Sequence, residues 1–273
     1  MAKLKLGILV SLEGGSKDEL RKVHDLGFPT CQVSCWNPEI MNREGADKLK
    51  AESREYDVEI TTIWSGLPGK AVWNFIEGPV TIGLVPPETR ELRIKALRKG
   101  SDFARMVGVQ SITTHVGFIP EWPRDTNYQG LVEALKRVAS FCKENGQGFW
   151  FETGQETPIT LLRTIEDVGA DNLGINLDPA NLLMYGKANP VDALDIIGGS
   201  VKGVHAKDGE YPINGRELGR ERPLGEGRVN FPALLSKLKA MGFDGALTIE
   251  REIGGQQQIE DIKRAKKLLE PLC

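Results

Sequence analysis

Four residues carry the chemistry for which this sequence is equipped: Glu152 in FWFETG, Asp178 in INLDPAN, His205 in GVHAKD and Glu250 in LTIERE. Each is a metal-ligating type, and each closes a short run rich in β-branched, aromatic or aliphatic residues. Three carboxylates and one imidazole form a hard, oxygen-rich donor set. Structural zinc prefers thiolate or multi-histidine tetrahedra, so this set suits Mn²⁺ or Mg²⁺, with Co²⁺ and Zn²⁺ as alternatives. A divalent ion among three carboxylates leaves about one net negative charge, which favours a neutral chelating substrate such as a hydroxy-ketone over an anion. Taken singly, an acidic residue at a strand end more often caps the next helix, and a strand histidine more often packs in a core. The recurrence at four successive strand ends is what singles out a metal site.

Residues so far apart meet only if the fold points successive strand ends at one spot. Eight β-rich runs, at residues 4–10, 30–36, 58–64, 111–116, 148–153, 173–178, 201–207 and 246–252, alternate with amphipathic stretches. Helical patterns stand at 17–26, 88–107, 129–144, 158–168, 231–241 and 257–269; within 88–107 the apolar Leu92, Ala96, Phe103 and Val107 recur at helix spacing. Gly27, Gly108, Gly146, Gly169 and Gly242 follow such stretches, and Asn230 before Phe231-Pro232 reads as an N-cap with proline in the first turn. Repeated right-handed βα units give a parallel sheet, and eight of them close most naturally into a single (β/α)8 TIM barrel spanning residues 1–273. An open doubly wound sheet is the alternative, but no glycine-rich phosphate loop follows an early strand. Long connections at 67–87, after the third strand, and 209–229, after the seventh, lie on the face where barrel active sites form.

Composition narrows the partners. The 273 residues carry 35 Lys+Arg against 38 Asp+Glu, a net charge of −3, with no basic stripe, so nucleic acid is disfavoured. No apolar run approaches the ~20 residues of a membrane span. Cys31, Cys35, Cys142 and Cys273 form no CxxC pair and read as reduced thiols, and a cytoplasmic protein is expected. Only three histidines are available, which limits any cluster of imidazole ligands.

The motifs are also specific in their order: HVG at 115–117, FETG around Glu152, NLDPANLL around Asp178, HAKD at 205–208, PLGEG at 223–227 and IE at 249–250. Together they resemble the xylose isomerase-like barrel superfamily, in particular its sugar phosphate isomerase/epimerase branch, which includes the ketose 3-epimerases. The resemblance implies one divalent ion, usually Mn²⁺, held by Glu152, Asp178, His205 and Glu250, with Glu152 and Glu250 doubling as the acid/base pair. The implied substrate is a small sugar or sugar phosphate. Such chemistry is coherent. A carbonyl and adjacent hydroxyl chelated by a metal acidify the intervening C–H, and carboxylates on opposite faces of that carbon can remove and return its proton. A lyase or hydratase acting on a keto-sugar or keto-glycoside would use the same first step. A non-catalytic sugar- or metal-binding barrel is a third reading. Endonuclease IV, a more distant relative, needs several further histidines for three metals; only His24 remains here, on the first helix pattern. Asn181 stands where endonuclease IV and several ketose 3-epimerases carry a histidine.

Other candidates surround this set. His115 ends the fourth strand and could hydrogen-bond a substrate hydroxyl. Lys207 shares the side of His205 and could hold a substrate oxygen or pair with Asp178. Trp36 and Trp64, with Trp73 from the first long connection, could wall a sugar pocket, although core packing is the commoner fate of such residues. Arg216, Arg220, Arg222 and Arg228 could clamp an anion, against a solvated loop as the plainer reading. A homo-oligomer is left open.

Overall fold

In the computed structural model, which describes residues 3–273, the eight β-rich runs form parallel strands: β1 (Leu6–Ser11), β2 (Thr30–Cys35), β3 (Glu59–Ser65), β4 (Ser111–Thr114), β5 (Gly148–Glu152), β6 (Leu173–Leu177), β7 (Val201–Ala206) and β8 (Leu247–Ile249). Their spatial order is β1-β8-β7-β6-β5-β4-β3-β2, and β1 pairs with both β8 and β2, so the barrel is closed. The expected (β/α)8 barrel is therefore observed. Six of the strands end earlier than expected, while β1 and β3 each run one residue further. His115, Asp178, Lys207 and Glu250 all lie just beyond a strand, at the top of the barrel.

A helix packs outside each of the seven crossovers, and an eighth follows the last strand: Ser16–Asp25, Arg43–Glu55, Pro87–Val107, Thr126–Glu144, Pro158–Val168, Pro190–Ile197, Phe231–Ala240 and Gly255–Leu269. Their apolar faces meet the outward strand residues, such as Cys31, Val33, Val204 and Phe151, in one continuous core. The caps follow the local sequence. Asn230 accepts the amide of Ala233, and Gly108, at φ 98°, turns its amide back to the carbonyls of Ala104 and Arg105. In helix Pro87–Val107 the expected Phe103 and Val107 are buried, but Leu92 is exposed and Ala96 only half-buried, and the inner face of the first turns is formed instead by Arg93, Ile94 and Leu97. A fully buried arginine on the inner face hides the true apolar stripe from a hydrophobicity pattern.

That arginine organises the connection after β3. Its Nε donates to Pro68 O at 3.1 Å, its Nη1 to Gly83 O at 2.7 Å, and its Nη2 to Lys70 O at 3.0 Å and Thr81 O at 2.7 Å. The connection includes a short helix, Gly78–Thr81. After β7, Asp208 has the equivalent role. Its Oδ1 accepts the amides of Gly209 and Val229, and its Oδ2 accepts those of Gly225 and Gly227, beside a small antiparallel ribbon pairing Asp208–Gly209 with Glu221–Arg222. Both connections lie at the C-terminal ends of the strands, as expected. Among the described residues no helix is long and apolar enough to cross a membrane.

Candidate metal centre

The barrel interior carries more polar side chains than a packed core would. Gln32, Asn176, His205 and Thr248 point inward and are fully buried or nearly so. Strand alternation places Glu152 two residues after Trp150 and His205 two after Gly203, both on this inner face. Asp178 follows β6 as the N-cap of helix Pro179–Met184, and Glu250 follows β8.

These four side chains converge. One ligand atom from each of Glu152, Asp178, His205 and Glu250 lies within 4.8 Å of all the others. His205 Nδ1 is 2.9 Å from Glu152 Oε1, 2.7 Å from Glu250 Oε2 and 4.0 Å from Asp178 Oδ2. Yet Nδ1, Asp178 Oδ2 and Glu250 Oε2 are buried without any contact that meets hydrogen-bond geometry. Buried polar atoms left unpaired are costly, and donors of this kind facing one point are what a cation would satisfy. The residues fit a divalent ion, with an N₁O₃ set that leaves positions for substrate or water.

The remaining atoms of the ligands are held by the protein. Trp64 Nε1 donates to Glu152 Oε2, Asp178 Oδ1 accepts the Asn181 amide at 2.8 Å, and His205 Nε2 lies 2.8 Å from Gln32 Oε1. Thr153 clasps the Asp178 backbone on both sides, donating to its carbonyl and accepting from its amide.

Lys207 is only 2% exposed and sits behind the cluster. Its Nζ donates to Glu252 Oε1 at 2.7 Å and Asn181 Oδ1 at 3.3 Å, and lies 3.5 Å from Asp178 and 3.6 Å from Glu250. The sequence offered a choice between a substrate contact and Asp178; the structure adds two more carboxylates, and of these Glu252 was missed.

Electrostatics follow from burial and these neighbours. Burial pushes Asp178 up to about 8 against the pull of Lys207. Burial also opposes ionisation of Glu250, but Lys207 and His205 outweigh it and hold that carboxyl well below the usual range. For His205, burial disfavours the imidazolium, and Glu250 and Glu152 more than offset this, raising its pKa. His115 is lowered by burial, with Glu152 acting in the opposite direction.

Above the cluster opens a cavity of about 390 Å³, walled by Leu9, Trp36, Trp64, Trp73, Tyr185 and Leu218, with His115, Asn181, Glu152, Glu250 and Glu252 among its polar lining. Trp36 and Trp64 pack with centroids 4.9 Å apart, and Trp73 sits 5.2 Å from the His115 ring. The connection after β3 thus contributes Trp73, and the one after β7 contributes Leu218. Arg216, Arg220, Arg222 and Arg228 do not line the cavity; Arg222 pairs with Glu210 at 2.9 Å. His24 lies outside it, with Nδ1 2.8 Å from Tyr56 O. Gln32 was also missed in the sequence. Its one signal was a polar side chain at an inward position of a strand that is buried throughout.

Comparison with known proteins agrees with this fold. A solved xylose isomerase domain protein from Planctomyces limnophilus is 37% identical, with a TM-score of 0.94 over 99% of this chain and 98% of that one. An uncharacterized protein of Methanocaldococcus jannaschii is 26% identical over 97% of this chain and 88% of its own length. An inosose dehydratase of Geobacillus kaustophilus is 26% identical over 59% of this chain and 62% of its own. A D-tagatose 3-epimerase-like protein, 22% identical over 98% of this chain and 97% of that one, shares the fold with a TM-score of 0.72. The sequence profile of the xylose isomerase-like TIM barrel family matches residues 20–272, and the chain belongs to that family.

Proposed function

We propose that this protein is a divalent-metal-dependent epimerase or aldose–ketose isomerase acting on an unphosphorylated sugar. The observation that carries the reading is the set of unpaired buried ligand atoms at the floor of a 390 Å³ cavity. Glu152, Asp178, His205 and Glu250 would hold the ion, with Mn²⁺ the best match to a mostly carboxylate set. When bound, such an ion supplies Lewis acidity to a carbonyl and its neighbouring hydroxyl, acidifying the C–H between them.

The protein side of the step is a proton relay between two carboxylates. Glu152 and Glu250 approach from β5 and β8, which are not neighbours in the barrel. One takes the proton from carbon and the other returns one to the opposite face, so the configuration inverts with no net consumption of protons. Trp64 orients Glu152 through its indole N–H, and Lys207 keeps Glu250 ionised. His115 and Asn181, both at the cavity wall, would meet sugar hydroxyls, and Trp36, Trp64 and Trp73 would offer faces to C–H surfaces.

Charge argues for an unphosphorylated substrate. Among the described residues lining the cavity none is Lys or Arg, while Glu252 adds a carboxylate beside the ligands. Lys207 is already engaged by Glu252, Asp178 and Glu250. Three ligand carboxylates are then balanced by a divalent ion and one ammonium, leaving nothing to neutralise a phosphate.

The test is solvent exchange. With Mn²⁺ present, one member of a panel of free ketoses and keto-sugars should take up a single deuterium from D₂O, by NMR, and Glu152→Gln and Glu250→Gln should each lower that exchange by at least about 10²-fold. Exchange that persists in both variants contradicts the acid/base assignment. A second reading is favoured by the inosose dehydratase match: the same proton removal followed by loss of a β-substituent. A product lighter by one water, or release of an aglycone, identifies it.

A further inference from the structure

His205 has one ring nitrogen facing the ligand cluster and one facing the protein. Nε2 lies 2.8 Å from Gln32 Oε1, and Gln32 Nε2 donates to Asn176 Oδ1 at 2.9 Å. This chain crosses the barrel interior from β7 to β2 to β6, and all three side chains are at most 1% exposed. Solvent therefore does not compete for the contacts, and the way Gln32 is turned decides what it offers His205.

The direction matters. A glutamine that gives its NH₂ to Asn176 turns its carbonyl oxygen toward His205. An oxygen can only accept, so the His205 proton must stand on Nε2. In the neutral ring, the form that can ligate an ion, the lone pair is then on Nδ1, the atom 2.7 Å and 2.9 Å from the Glu250 and Glu152 oxygens and without a hydrogen-bond partner of its own. With both amides rotated, the NH₂ of Gln32 would face Nε2, the proton would move to Nδ1, and the ring could not ligate an ion there.

We propose that Gln32 is a positioning residue that accepts the Nε2 proton of His205, fixing that tautomer and so making Nδ1 a metal ligand, while its NH₂ is given to Asn176. The proposal rests on the metal-centre reading above. Gln32 touches neither ion nor substrate in this scheme. Its effect is on affinity and on the state of one imidazole, of the kind outer hydrogen bonds exert on ligating histidines.

The experiment pairs calorimetric titration with ¹⁵N NMR, using Zn²⁺ as a diamagnetic probe on ¹⁵N-histidine-labelled protein, where only three histidines need assignment. In the wild type, Zn²⁺ should bind, its imidazole nitrogen should be Nδ1 of His205, and a proton protected from exchange should remain on Nε2. Gln32→Leu should weaken Zn²⁺ binding about 10- to 100-fold and lose that protected proton. Gln32→Glu keeps an acceptor facing His205, and the Asn176 amide can rotate to donate to its other oxygen, so binding should stay within about threefold of wild type. Zn²⁺ bound through Nε2 overturns the proposal, as does an unchanged affinity and ring spectrum in Gln32→Leu. If that variant does not fold, the wild-type spectrum and Gln32→Glu still decide. A wild type that binds no Zn²⁺ or Mn²⁺ instead removes the metal-centre reading itself, so the two failures are distinct.

Discussion

Asp178 divides its two oxygens between two roles. Oδ1 accepts the Asn181 amide as a helix cap, while Oδ2 is left unpaired at the ligand cluster. The commonplace reading of an acid at a strand end holds for one oxygen, and the other remains free for the metal reading, so the two are compatible in one carboxylate and a sequence has no means of separating them. Substitution does. Asp178→Asn retains a capping oxygen but loses the ligand charge. It should keep the thermal stability of the metal-free protein nearly unchanged while weakening Mn²⁺ by on the order of 100-fold or more, since a lost ligand should cost at least as much as a lost outer partner. Asp178→Ala should lose the cap too, destabilising the metal-free protein by about 1 kcal/mol. Calorimetry and chemical denaturation read the two effects separately. All four ligand candidates were legible because strand ends in a barrel converge whatever their sequence separation. Gln32 and Glu252 were not, because nothing local tells a polar residue at an inward position that its partner lies across the barrel, 144 residues away for the Gln32–Asn176 bond.

Each of the two long connections is tied by one charged side chain, and the first also buries Ile82, Leu84 and Val85. Arg93, fully buried, gathers four backbone carbonyls from the segment that carries Trp73. Gly83 is part of the same closure. Its φ is 72°, and a Cβ there would stand 2.0 Å from the Val116 carbonyl, so no side chain fits. Arg93→Met removes every donor and leaves buried carbonyls unpaired. The expected cost is about 3 kcal/mol in urea unfolding, together with faster proteolysis between β3 and helix Pro87–Val107. Arg93→Lys should be nearly as damaging, because one ammonium cannot reproduce the guanidinium fork. Asp208 is the counterpart after β7, where its oxygens accept four amides. Its place in HAKD suggests chemistry, but its work is to hold the turn through PLGEG. These lengths of chain were recognisable as long connections from sequence alone. Their internal order was not, because it rests on an arginine and an aspartate whose burial contradicts their type, and the burial of Arg93 obscured the apolar face in the first half of its helix.

At the scale of the whole molecule, the barrel places buried ionisable groups where their protonation is linked to folding. Glu156, 2% exposed in the turn after β5, is pushed up to about 7 by burial, an effect that nearby backbone amides and Lys187 offset only in part. Because the folded-state pKa is raised, the folded protein holds a proton that the unfolded chain releases, and stability falls as pH rises from about 4.5 to about 7. Glu156→Gln should abolish up to about 3 kcal/mol of that fall, so its advantage over wild type in denaturant titrations should grow across this window and level off above it. The centre adds a second linkage. An ion that binds the folded state alone stabilises it by about 2.7 kcal/mol at 100 times Kd, equivalent to roughly 5 °C in Tm for a chain of this size, and chelation should reverse the gain. Strand order, closure and the βα face were readable from alternation because each unit repeats the same handed crossover. What alternation cannot supply is the chemistry inside the closed sheet, where Gln32, Asn176 and His205 meet only through closure. Pulsed EPR of the Mn²⁺-loaded protein is the most direct test of a centre with one histidine and three carboxylates. The expected result is one Mn²⁺ per chain coupled to a single imidazole nitrogen, with the coupling changed by ¹⁵N-histidine labelling and absent in His205→Ala. No nitrogen coupling, or coupling to two imidazoles, would contradict it.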